Sequence, residues 1–245
     1  FPHWLPELAT AHPATVRRVL EKALQAELRE RSTLAHPHVL SAIRYDDTGI
    51  RRRLLPFFRK LLSQWPAAPG RGDAGIWAQS LAKVLEIVAL ESPNDPWLAD
   101  LSEKRFATDP SAATALGFLS AVFRFDVERG TAAMAKALGR MPKAARSDHA
   151  IKWFGGLFDD RHSNGLPVGL NASAAVLKRL ILLCYTHVRL ADDIDRAGTG
   201  AFTPGNRDNA QSARNHLLGA LIDQSGFGAH KALVELSALP DFSHM

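Results

Sequence analysis

The chain has 245 residues, 46% of them hydrophobic and 22% charged, a balance that excludes a disordered polymer and allows a large buried core. Its formal net charge of +5 sits in the first 62 residues, with 11 Lys and Arg against 6 Asp and Glu, an excess too modest to imply nucleic-acid binding by itself. One cysteine, Cys184, excludes a disulfide framework within the chain, and no run reaches the ~18 apolar residues of a membrane span, so a reduced, cytoplasmic setting without a membrane partner is expected.

Helical periodicity runs through the whole chain. Val16, Val19, Leu20, Ala23, Leu24 and Leu28 recur at steps of three and four, and Pro13 suits the first turn of that helix. Leu54, Leu55, Phe58, Leu61 and Leu62 form a second stripe, in which Pro56 predicts a kink or a later start. Ile76, Trp77, Leu81, Val84, Leu85, Val88 and Ala89 form a third, with Asp73 as its expected N-cap. Pro93 and Pro96 then break the chain before a short helix over 97–106. Asp109-Pro110 is expected to open the next, carrying Ala115, Leu116, Leu119, Val122 and Phe123. Short helices over 131–138 and 150–158 follow. The pattern over 171–190 is apolar on most sides, which predicts a helix buried by its neighbours. Residues 206–222 and 227–239 complete a set of about ten to twelve helices.

No stretch alternates with a period of two, so strands are not expected. The longer helices begin 25 to 37 residues apart, a loose repeat of helix pairs. The expected fold is all-α, an α-solenoid of irregular helix pairs, with a compact irregular helical domain as the alternative. Residues 1–245 read as a single helical-repeat segment. The opening Phe1-Pro2-His3-Trp4, without an initiator Met, suggests a fragment of a longer protein.

Several clusters carry residue types suited to chemistry. Asp192-Asp193-Ile194-Asp195 places Asp192 and Asp195 three apart on a helical face, a spacing that suits Mg²⁺, whereas Asp193 points elsewhere. His36-Pro37-His38 and Asp159-Asp160-Arg161-His162 lack a zinc-ligand spacing. Asp148-His149 is only a dipeptide. Gly155-Gly156, after Trp153-Phe154, is not followed by the Lys-Ser/Thr of a phosphate loop, and fits close helix approach better. Cys184 lies among aliphatics and reads as a core residue. No cofactor is therefore expected. The sharpest charged feature is Arg51-Arg52-Arg53 with Arg59 and Lys60. These five are the candidate partner-binding residues, for an acidic protein surface or for phosphates.

The segment Thr203-Pro204-Gly205-Asn206-Arg207-Asp208-Asn209-Ala210-Gln211-Ser212-Ala213-Arg214-Asn215-His216-Leu217-Leu218, with Gly226, Ala229, Ala232 and Leu233 after it, resembles the helical-repeat (HEAT-like) regions of large bacterial signal-transducing ATPases of the NACHT type. Trp4-Leu5-Pro6-Glu7-Leu8 and Ala11-His12-Pro13 share that likeness. The resemblance implies a sensor or scaffold region, with nucleotide binding elsewhere. The functional expectation is a protein-binding scaffold or sensor without catalytic activity of its own. The alternatives are a helical enzyme using an Asp-bound Mg²⁺ and nucleic-acid binding through the N-terminal basic cluster.

Overall fold

Apolar stripes at helical spacing, punctuated by proline and by capping aspartates, give a chain of helices. In the computed structural model these are α1 (Leu5–Ala11), α2 (Pro13–Arg29), α3 (His38–Arg44), α4 (Ile50–Ser63), α5 (Ala74–Glu91), α6 (Pro96–Thr108), α7 (Ala115–Phe125), α8 (Val127–Arg140), α9 (Lys143–Phe158), α10 (Ala174–His187), α11 (Asn206–Ile222) and α12 (Phe227–Ser237). Short 3-10 turns occur at Leu190–Asp192 and Pro240–Phe242. The structure describes all residues except 1–2, 30–37, 47–48, 67–72, 159–171, 197–199, 201–202 and 243–245. Among the described residues there is no strand, and no helix is long and apolar enough to cross a membrane.

The chain divides into two compact units, Phe1–Phe125 and Asp126–Met245. In the first, α1 packs on α2, α2 on α3 and α4, α3 on α4 and α5, α4 on α5, α5 on α7, and α6 on α7. Its core holds Leu24, Leu40, Ile43, Leu54, Phe58, Leu62, Leu81, Val84, Val88 and Phe106. In the second, α8 packs on α9 and α10, α9 on α10 and α11, α10 on α11 and α12, and α11 on α12. Within each unit, every extensive contact among the described residues joins helices one or two places apart in the chain. Such packing is local in sequence, so each helix buries its stripe without a distant partner.

Caps set the boundaries. Asp73 accepts from the backbone N–H of Gly75 and Ile76, which makes it the N-cap of α5. Asp95 and Asp126 cap α6 and α8 in the same way. The first turn of α3 is closed by a residue of another helix. The carboxylate of Glu27 on α2 accepts from Val39 N at 2.8 Å and Leu40 N at 2.9 Å. Two orphan donors are thereby satisfied and two helices are tied together.

Five sequence expectations change in detail. Pro56 does not shorten α4, which runs through it with that residue on the exposed face. Asp109-Pro110 opens a turn, and the helix begins only at Ala115. The helices expected over 131–138 and 150–158 extend to Val127–Arg140 and Lys143–Phe158, because Asp126 caps the first and polar residues lengthen the second. The helix expected over 171–190 is shorter, Ala174–His187, with Ser173 as its N-cap. It is buried as expected: Val176, Leu177, Leu180, Ile181, Cys184 and Tyr185 face the neighbours α8, α9, α11 and α12.

Candidate functional site

The five basic residues of α4 separate into two groups. Helical geometry puts Arg51 and Arg59 at the flank of the buried Leu54/Phe58 stripe, and both find carboxylates there. Arg51 donates from Nε to Glu91 at 2.8 Å and from Nη1 to the Arg44 carbonyl at 2.9 Å. Arg59 donates to Asp95 at 2.5 Å and stacks over Trp97 at 5.5 Å. With Arg44–Glu86 at 2.8 Å, these pairs form a ladder of three arginines against acids on α5 and at the start of α6. Arg52, Arg53 and Lys60 are exposed, with no ion pair among the described residues. The cluster read from the sequence is thus half seam and half free surface.

The second charged cluster lies in the other unit, where the chain leaves α10. The Mg²⁺ geometry considered for Asp192 and Asp195 does not form. Asp192 ends a 3-10 turn and Asp195 lies in extended chain, so the two do not share a helical face. Among the described residues, no three His, Cys, Asp or Glu side chains are arranged to hold a metal ion. Asp192 pairs with Arg189 at 2.8 Å. His36, Pro37 and the Asp159–His162 run lie outside the described residues. His149 contacts the Ala145 carbonyl of its own helix at 2.9 Å and meets Trp153 edge-on.

The residue set aside in that cluster, Asp193, is the one engaged. Arg214 donates to both of its oxygens, from Nη1 at 3.1 Å and from Nη2, and also holds the Val188 carbonyl at 2.9 Å. Arg207 donates to Asp193 at 3.1 Å and to the Arg189 carbonyl at 2.6 Å. The Arg214 guanidinium lies 5.2 Å above the Tyr185 ring. Burial pushes the Asp193 carboxyl up, but hydrogen bonds from Arg214, Gln211 and Arg207 outweigh it and hold the group below the usual carboxylate range. Beside it, Arg196 donates two hydrogen bonds to Asp208, at 2.9 and 3.0 Å. Asp208 also accepts from Gly205 N at 2.8 Å, closing the first turn of α11. The Arg196 bonds first, and the Gly205 N–H second, bring its pKa down to about 2. The heptad spacing of Arg207 and Arg214 was the visible signal. It places two cations on one face, which called for a carboxylate within reach.

No family model, curated protein or solved structure matches the chain.

Cys184 is fully buried, and desolvation pushes its thiol up to about 12 despite the nearby Arg214 and Arg207 charges. A thiol in that state is a packing group and a poor nucleophile. Exposed apolar residues are a different matter. Phe227 is 81% exposed and Val234 54% exposed, seven apart on the face of α12 opposite buried Ala229, Ala232 and Leu236. Ile222, just before α12, is exposed as well. From sequence, 227–239 is read only as a helix. The heptad step from Phe227 to Val234 was the signal for its outward face.

Proposed function

We propose that the chain is a protein-binding scaffold or sensor segment, an α-solenoid of helix pairs that recognises a partner protein by its surface. The observation that carries this reading is the packing order. Within each unit, extensive contacts among the described residues join helices one or two places apart, as expected when helix pairs stack in sequence. The outward apolar face of α12 supports a protein as the partner, because large exposed apolar side chains in register on a helix mark contact surfaces. The proposal includes a setting in a NACHT-type bacterial signalling protein in the cytoplasm, on the likeness of residues 203–218.

The enzyme alternative rested on Asp192 and Asp195 sharing a helical face, and the chain leaves the helix between them. The nucleic-acid alternative retains three free cations, Arg52, Arg53 and Lys60. The test is affinity capture from an extract of the source organism, before and after nuclease treatment. A defined protein retained in both conditions is expected. Recovery that disappears with nuclease would sink the reading and favour nucleic acid.

A further inference from the structure

We propose that Arg207 and Arg214 form a seat for a phosphate-type oxyanion, and that Asp193 is its built-in, displaceable occupant. The inference does not depend on the scaffold reading. One carboxylate faces two guanidinium groups, while neighbouring Arg189 and Arg196 have carboxylates of their own in Asp192 and Asp208. The seat therefore holds more positive charge than Asp193 neutralises. Arg214 is only 3% exposed, and the Nε–H groups of both Arg207 and Arg214 are buried without an acceptor among the described residues. Two guanidinium groups with donors to spare suit an anion with three or four oxygens better than one with two.

The Arg214 half of the seat is built to persist without its occupant. Arg214 is held by the carbonyl of Val188, a fully buried residue, and by stacking on Tyr185. The occupant is loosely tied by comparison. Every residue over 189–195 is exposed, including Leu190 and Ile194, so this strap buries no apolar anchor. Its ties to α11 include the Asp193 contacts, the Arg189 carbonyl and, at its end, Arg196–Asp208. A strap of exposed residues is open to a competing anion at the Asp193 position.

The test uses inorganic phosphate and phenyl phosphate, each against sodium chloride at matched ionic strength. Asp193→Asn vacates the seat, so its affinity for phosphate should rise by about tenfold or more over the native chain, as removal of an internal competitor requires. Adding Arg207→Gln should abolish that gain. Binding of both probes would indicate a seat open to phosphate monoesters, and binding of phosphate alone a closed one. In the native chain, phosphate should speed tryptic cleavage after Arg189 and Arg196 beyond the chloride control, and this arm decides alone if Asp193→Asn does not fold. Equal effects of phosphate and chloride in both arms would overturn the proposal and leave Asp193 a structural ion-pair partner.

Discussion

Arg59 and Asp95 are joined at 2.5 Å, and Asp95 at the same time caps α6 by accepting from Trp97 N at 3.1 Å. One carboxylate therefore fixes a helix start and ties it to α4. Asp95→Ala should destabilise by about 1–2 kcal/mol, mostly through the lost cap, since the half-exposed Arg59 partner adds little. Arg52→Ala should change stability by less than about 0.5 kcal/mol, because that side chain is solvated. Urea unfolding of both variants checks that Asp95 holds structure at this junction and that Arg52 does not. Equal losses would contradict it.

The division of the basic cluster into seam and surface sets a limit on nucleic-acid contacts. With Arg51 and Arg59 engaged, α4 offers three cations to a duplex. Any binding through this face should weaken with salt at a log–log slope no steeper than about −2.7, whereas all five cations would give about −4.5. Fluorescence anisotropy with duplex DNA across a salt series reads the slope directly, and a value near the steeper limit would mean that the ladder opens on binding.

Gly155 of α9 and Gly219 of α11 predict opposite outcomes for the same substitution. A Cβ at 155 would meet Asn209 Cβ at 3.0 Å, Ala210 N at 3.1 Å and the Asn206 carbonyl at 3.1 Å. Backbone cannot give way cheaply, so Gly155→Ala should cost about 1–3 kcal/mol. A Cβ at 219 meets nothing within 4 Å, and Gly219→Ala should stabilise by about 0.5–1 kcal/mol through helix propensity. Thermal melts of the two variants should move in opposite directions. A stabilised Gly155→Ala would show that α9 and α11 do not approach as closely as described.

Much of this fold was legible as periodicity. The all-helical class, the cap at Asp73, the burial of Leu180 and Cys184, and the close-approach role of Gly155 follow from spacing and residue type. Tertiary charge pairing was not legible. Glu27 caps a helix twelve residues away, and Asp193 leaves the helical frame to reach Arg207 and Arg214. Reading 192–195 as helix put Asp193 on the wrong side and paired Asp192 with Asp195. The 3-10 turn at Leu190–Asp192 ends that frame three residues short of Asp195.

Acid should loosen the second unit. The Asp208 pKa is depressed to about 2 in the folded state, and Asp193 is lowered too. A depressed carboxylate contributes stability above its unfolded pKa, near 4, and loses it as pH falls through the folded value. Stability should therefore decline between about pH 5 and pH 2. Asp208→Asn should flatten part of that decline, as read by urea midpoints at pH 6 and pH 3. Parallel profiles for native chain and variant would exclude Asp208 as a contributor.

The most direct test of the scaffold reading compares nuclease-treated affinity capture by the native chain and by Phe227→Asp/Val234→Asp. Both substituted residues are exposed, so circular dichroism and melting temperature should stay unchanged. The account predicts a defined protein retained by the native chain and lost by the double variant. Identical recovery by the two would contradict recognition through α12, and no protein above the bare-matrix control would contradict the scaffold reading itself.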